Sequence, residues 1–339
     1  MRLVIGIDEA GYGPNLGPLV VAASVWTVEG FGIEAGLGPL HPEFRDAPWS
    51  EKSPWVPLGD SKKVHRRGEV SDAWLEGVEF LMRSRDSASP GGWSEILPRV
   101  APLDLPRVES RPWYDAVWIE PGSSASREDV STPHRRAANR KLHALGITFH
   151  RFQARILDEL EFNRAVASAG DNKANALATW SMGLARDALL AVPELQSACD
   201  AIEIYCDRLG GRKRYAPVLI ETWQDPTADS NQVASPMWFE VLHESSQCSR
   251  YRSRWGGMPL SIQFAVDGDS LFPSAAASML AKGIRESLMR RLNRFWQQQV
   301  GDRLLPTAGY AVDARRFAAD IAAARAKLGI LEEQWWRMR

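Results

Sequence analysis

The chain opens on an almost unbroken apolar run, residues 2–8 (Arg-Leu-Val-Ile-Gly-Ile-Asp), which stops at a glycine-rich break. That is the pattern of a buried strand running into a turn. A second apolar run follows at residues 19–26. The stretch between them, Gly11-Tyr12-Gly13-Pro14-Asn15-Leu16-Gly17-Pro18, is dense in turn formers and too short for a helix, so the two strands are expected to pair antiparallel. Residues 84–134 lose periodicity and fill with Ser, Pro, Gly and Arg, as an excursion from a core does. A helical pattern is expected from Ala154 onward, and Lys173–Leu190 carries helix formers with apolar residues at helical spacing, for packing on the sheet.

Residues 201–206 alternate as a strand that delivers Asp207 at its end, just before Gly210-Gly211. Residues 260–266 form another, ending at Asp267-Gly268-Asp269-Ser270. Ser274 then starts a helix through Ala275-Ala276-Ala277-Ser278 that extends to about residue 299, its small residues allowing close approach to a neighbour. Carboxylates therefore fall at three places where strands end. No internal repeat is visible.

With 339 residues, 45% of them hydrophobic, the chain can bury about 70–75% of its unfolded surface and needs no staples. Length fits two domains or one elaborated α/β domain equally well. The 41 Lys and Arg against 42 Asp and Glu give no whole-chain attraction for phosphate, so any nucleic-acid site must be local. The basic clusters at 135–141, 212–214, 250–254 and 285–294 each read, taken alone, as solvated faces. Cys199, Cys206 and Cys248 lack metal-ligand spacing, and the histidines are scattered, so neither zinc nor a disulfide framework is expected. The N-terminal residues resemble neither a signal peptide nor a membrane span, which makes the cytoplasm the expected location. Most of the 14 Trp residues read as packing.

Asp8 and Glu9 would point to opposite faces in a continuing strand, but Gly11 and Gly13 let the backbone turn and bring both near one place. Alone, they read sooner as a salt-bridged pair at a surface turn. Crowded carboxylates need protons or divalent cations, and oxygen ligands without His or Cys favour Mg2+ or Mn2+.

Gly6-Ile7-Asp8-Glu9-Ala10-Gly11-Tyr12-Gly13-Pro14, with Gly17-Pro18-Leu19-Val20-Val21-Ala22-Ala23, resembles the opening motif of ribonuclease HII. Gly59-Asp60-Ser61-Lys62-Lys63 is similar to the family's Asp-Ser-Lys-Lys segment, and Ile204-Tyr205-Cys206-Asp207 to its central strand ending in a catalytic Asp. Gly268-Asp269-Ser270 with Ser274 to Lys282 resembles the last acidic residue and its Ala-Ala-Ser helix. Ala308-Gly309-Tyr310-Ala311-Val312-Asp313 is similar to the element whose tyrosine stacks beside a ribonucleotide. The five blocks occur in family order and span most of the chain.

The resemblance implies one α/β domain over residues 1–339, a ribonuclease H-like mixed sheet flanked by helices. Insertions are expected at about 84–150 and 212–258, the latter looping out, and a C-terminal helical region from about 300. It implies a catalytic, metal-binding quartet at Asp8, Glu9, Asp207 and Asp269, with Asp267 as a competitor for the fourth place. Two Mg2+ or Mn2+ ions would sit on either side of the scissile phosphate, one activating water and one stabilising the leaving oxygen. The implied substrate is an RNA–DNA hybrid or duplex DNA with embedded ribonucleotides. Backbone groups of Gly11, Tyr12 and Gly13 would approach the 2′-hydroxyl, Tyr310 would stack, and Lys62, Lys63 and Lys282 would contact phosphates. A monomer is expected; no membrane partner is expected and no protein partner is legible. One departure stands out: the family has arginine where this chain has Tyr12, which cannot fork onto phosphate. Two other readings stay open, a non-catalytic nucleic-acid-binding relative and a ribonuclease H-like nuclease acting on another structure.

Overall fold

In the computed structural model, which describes residues 1–30, 32, 40, 43–45, 47, 55–64, 73–85, 92–115, 128–223 and 237–338 but not the side chains of 85, 128–132 and 269, nine strands and twelve α-helices are assigned among the described residues. The strands are β1 Arg2–Ala10, β2 Leu19–Val28, β3 Phe44–Arg45, β4 Val56–Pro57, β5 Ile147–Leu157, β6 Ala201–Asp207, β7 Glu240–Glu244, β8 Cys248–Trp255 and β9 Met258–Ala265. The helices are α1 Ser61–Val64, α2 Ala73–Arg85, α3 Trp93–Val100, α4 Leu105–Glu109, α5 Glu128–Ala144, α6 Glu159–Ser168, α7 Lys173–Leu190, α8 Pro193–Gln196, α9 Ala216–Thr222, α10 Phe272–Val300, α11 Ala311–Lys327 and α12 Glu332–Trp335.

Seven strands form one sheet in the order β5-β2-β1-β6-β9-β8-β7, while β3 and β4 make a small pair of their own. β1 pairs antiparallel with β2 and parallel with β6, and β6 pairs parallel with β9. The first two apolar runs therefore do form the expected antiparallel unit. Both faces of the central strands are covered by other elements, which is why β1 and β2 read as continuous apolar runs. On one face Leu3, Ile5 and Ile7 pack with α7 residues such as Leu177 and Met182; on the other, Val4 and Ala10 pack with α10 residues such as Ala276 and Leu280. A mixed sheet flanked by helices is the architecture that the sequence motifs imply, and α11 and α12 follow it. No helix among the described residues is long and apolar enough to cross a membrane.

α10 lies so close to β1 that a Cβ on Gly6 would stand 2.1 Å from the Pro273 carbonyl carbon. Ser24 donates to the Pro273 carbonyl at 2.7 Å and Ser274 to that of Tyr205 at 3.0 Å, so polar bonds fix the helix onto the sheet at its first turn. Because the obstacle at Gly6 is backbone, Gly6→Ala is expected to cost about 3 kcal/mol or more by prising α10 off β1. Chemical denaturation would register this as a lowered midpoint, and an unchanged midpoint would contradict the packing.

Three expectations need correction. The helical pattern expected from Ala154 is strand through Leu157, and helix begins only at Glu159. What is misplaced is the boundary: Phe152, Ala154 and Ile156 are buried in alternation as in a strand, and the helix starts only where the Asp158 side chain caps it by accepting from the Glu161 amide. Second, the stretch expected as an excursion contributes to the core where it is described. Trp93 is fully buried, and a Cβ on Gly283 of α10 would lie 2.0 Å from its ring. Third, the segment expected to loop out before β9 instead extends the sheet, with β8 pairing antiparallel to β9 and β7 to β8.

Candidate active site

β1 continues through Ala10, so Asp8 and Glu9 both remain inside the strand and point to opposite faces; the turn at Gly11 does not bring them round, contrary to expectation. What draws the carboxylates together is β6. Its parallel register puts Ile7 opposite Cys206, so Asp8 and Asp207 follow side by side at neighbouring strand ends. Asp207 shares the face of Tyr205, which belongs to the α10-side core along with Val4 and Ala10. Asp8 and Asp207 thus look toward α10, and Glu9 looks toward α7.

Burial pushes the Asp8 carboxyl up to about 7, with the charge of Asp207 adding to the shift and the Lys282 ammonium and a hydrogen bond from Ser278 opposing it. Burial also raises Glu9 well above the usual carboxylate range, reinforced by Asp8 and Asp207. Its Oε2 is buried without a hydrogen-bond partner. Asp207 Oδ1 accepts a hydrogen bond from the Gly268 backbone at 3.2 Å. That contact is close because Gly268 has no side chain: a Cβ there would stand 2.9 Å from the Asp207 Cα.

The two candidates for the fourth acid flank Gly268. Asp267 occupies a left-handed turn position, φ 57°, and is exposed. Asp269 falls in the short turn Gly268–Ser270 leading into α10, next along from the glycine that touches Asp207; its side chain lies outside the described residues.

The Asp60-Ser61-Lys62-Lys63 segment reaches this region through Ser61. Ser61 is buried, its hydroxyl lies 3.0 Å from that of Ser278, and it accepts a hydrogen bond from Lys282. Lys62 and Lys63 are exposed on α1, Lys63 lying 3.8 Å from Asp60. Of the three expected lysines, Lys282 is the one coupled to Asp8 and Glu9.

At the end of β1, the turn at residues 11–18 docks against the element carrying Tyr310. Asn15 donates to the Gly309 carbonyl at 2.8 Å, and a Cβ on Gly309 would lie 2.4 Å from the Leu16 carbonyl oxygen. Tyr310, 60% exposed at the start of α11, is thereby set against Gly13: a Cβ there would be 3.7 Å from its ring. Gly13 and Tyr310 are thus brought together.

Tyr12 goes elsewhere. A Cβ on Gly210 would lie 2.8 Å from its hydroxyl, and the Lys173 ammonium sits 4.7 Å from its ring centroid. Burial raises the Tyr12 phenol, the Glu9 charge adds to this, and Arg212 opposes it. Two cations, Lys173 and Arg212, therefore stand around Tyr12, the residue that lacks a charge. Arg212 is steadied by Asn175 on α7, whose first turn is capped by Asn172. Sequence reasoning grouped Arg212 with surface charge and passed over Lys173, Ser61 and Ser278. The one local signal was Lys173 at the start of a capped helix.

Among the described residues, no three His, Cys, Asp or Glu side chains are grouped closely enough to hold a metal ion. The donors nevertheless suit a hard divalent cation. They are oxygens alone, they repel one another in a buried place, and Glu9 Oε2 is unpartnered.

No family model and no curated protein matches the chain. Solved structures similar to it include the PCNA–ribonuclease HII complex from Archaeoglobus fulgidus, at 15% identity and TM-score 0.35, covering 99% of this chain and 94% of that one. The ribonuclease H2 of Pyrococcus horikoshii OT3 is similar at 14% identity and TM-score 0.34, with 98% and 92% covered. Bst ribonuclease HIII in complex with Mn2+ is similar at 16% identity and TM-score 0.38, covering 99% of this chain and 66% of that one. What this chain resembles in them is a fold, and its chemistry is read from its own side chains.

Proposed function

We propose that this chain is a metal-dependent ribonuclease H-like endonuclease that hydrolyses the RNA strand of RNA–DNA hybrids, or nicks duplex DNA at embedded ribonucleotides, leaving a 3′-hydroxyl. The observation that carries this is the burial of mutually repelling carboxylates, Asp8 and Glu9 beside Asp207, at the ends of two neighbouring parallel strands. Such an arrangement costs folding free energy and is retained where a cation and a phosphate are to be bound.

In this reading Asp8, Glu9, Asp207 and Asp269 hold Mg2+ or Mn2+. The bound ions would supply an activated water and charge for the leaving oxygen. Lys282, tied to Ser61, offsets the acidic charge from the α10 side. Lys173 and Arg212 flank Tyr12 and provide the phosphate attraction that a tyrosine lacks. Gly11 and Gly13 let the backbone approach the sugar, and Tyr310 offers its exposed ring beside Gly13. Lys62 and Lys63 reach only the outer phosphates. The same proposal takes the chain as one domain with additions at about 84–150 and 212–258, acting as a cytoplasmic monomer.

The test is product analysis on labelled duplex DNA with one ribonucleotide, an RNA–DNA hybrid and an all-DNA duplex, in Mg2+ and in Mn2+, with Asp207→Asn as blank. The expected result is a nick confined to the ribonucleotide-containing substrates and lost in the blank. Binding without cleavage, unchanged in Asp207→Asn, would instead identify a non-catalytic relative.

A further inference from the structure

Arg337, close to the C-terminus, has its side chain fully buried, and no carboxylate lies within ion-pair distance of it among the described residues. Its guanidinium reaches into the turn that follows β1. Nη1 donates to the Gly11 carbonyl and lies 3.5 Å from that of Gly17, while Nη2 lies 3.4 Å from that of Tyr12. The group stacks 3.7 Å above the Phe162 ring. The Arg337 backbone is clipped in turn, donating to the Asn15 carbonyl at 2.8 Å. Asn163 holds both flanking residues, donating to the Trp336 carbonyl at 2.9 Å and accepting from the Met338 amide at 2.8 Å.

A site filled for packing alone would take an apolar side chain at lower cost, since a buried cation loses its hydration. The place is costly enough that burial, with the nearby Arg285 charge, lowers the Arg337 guanidinium to about 9. What the charge gains is the carbonyl oxygens of Gly11 and Tyr12. In a trans peptide the C=O of one residue and the N–H of the next point in opposite directions. Drawing those two oxygens onto Arg337 therefore turns the amides of Tyr12 and Gly13 the other way. Adjacent backbone amides aimed outward form a cradle for a hydroxyl or anionic oxygen.

We propose that Arg337 is a positioning residue, which from the C-terminal end of the chain holds the Gly11–Gly13 turn with its amides presented to the sugar and phosphate of the bound strand. This rests on the nuclease reading for its ligand, but not for its geometry, and the experiment separates the two. Arg337→Met keeps bulk and removes the donors; Arg337→Lys keeps charge and restores part of the hydrogen bonding. In the free protein, backbone amide exchange over residues 11–17, read by mass spectrometry, should quicken at least roughly tenfold in Arg337→Met, with β1 unchanged and Arg337→Lys intermediate. In nicking assays Arg337→Met should lose roughly 10–100-fold in kcat/KM on ribonucleotide-containing duplex, while its affinity for all-DNA duplex holds. Exchange over 11–17 that is unaltered in both variants overturns the proposal. Equal losses on ribonucleotide and all-DNA substrates do so as well. Should Arg337→Met fail to fold, unaltered exchange and selectivity in Arg337→Lys overturn it alone. Quickened exchange beside a wild-type protein that nicks nothing supports the positioning role and sinks the nuclease reading.

Discussion

Asp207→Asn and Asp269→Asn are each expected to slow ribonucleotide-dependent nicking by at least about 10³-fold, while Asp267→Asn changes it less than about threefold. Asp207 ends β6 beside Asp8, and its carboxylate accepts from Gly268. In the proposed site, replacing one carboxylate oxygen of Asp207 would remove a ligand and weaken the attraction for both cations. Asp269 stands next to Gly268, at the turn that α10 closes over the strand ends. Asp267 instead is exposed with φ 57°, a conformation asparagine adopts as readily, so its substitution leaves the turn intact. Single-turnover rates on a duplex with one ribonucleotide check all three. If Asp267→Asn proves as damaging as Asp207→Asn, the fourth ligand is Asp267.

The second expected result concerns Glu159, buried at the start of α6 behind the same turn. It accepts from the Gly17 amide and from the Tyr114 hydroxyl, each at 3.0 Å, while its Oε2 has no partner. Burial pushes its carboxyl from 4.5 up to about 7. A carboxyl raised in the folded state binds its proton more tightly there than in the unfolded chain. Its favourable contribution is therefore complete below pH 4.5 and is lost as pH rises through about 7. The difference amounts to about 3 kcal/mol. Asp8 and Glu9 are shifted the same way, so wild-type stability falls between pH 5 and 8 by more than Glu159 alone accounts for. Glu159→Gln removes its own share, and the difference between wild type and variant isolates it. Urea midpoints across that range should fall less steeply with rising pH in the variant than in the wild type, with the stability gap changing by about 3 kcal/mol. A gap independent of pH would show that Glu159 does not change its protonation there.

Gly11 to Gly17 is thus held from behind by three groups, Arg337, Glu159 and Arg285, whose guanidinium reaches the Leu16 and Ala308 carbonyls. Arg285 and Glu159 sit on helices and Arg337 just beyond one. None carries a local pattern that marks it as a partner of the turn. Arg285 lay inside a basic run that reads as a solvated face. It is instead 5% exposed.

Much of the fold was legible because its signals are local. Alternation and apolar runs marked β1, β2, β6 and β9, and helix formers at helical spacing marked α7 at its observed limits. Where the boundary was subtle it misled: the last residues of β5 read as the start of the helix that Asp158 caps. The acids at Asp8, Glu9, Asp207 and Asp269 were readable as candidates from their motifs and from their places at strand ends.

Other features depended on contacts between distant parts of the chain. The parallel register of β1 with β6, and not the glycine turn, sets Asp8 beside Asp207. The meeting of Ser61, Ser278 and Lys282 joins α1 to α10, and the placing of Lys173 and Arg212 around Tyr12 joins α7 to the turn after β6. The sequence by itself determined the elements and the residues able to do the chemistry, since propensity, periodicity and turn formation act within a few residues. Tertiary structure alone decided which charges share a buried site, because burial and Coulomb coupling depend on distance in space, and distance along the chain says nothing about that.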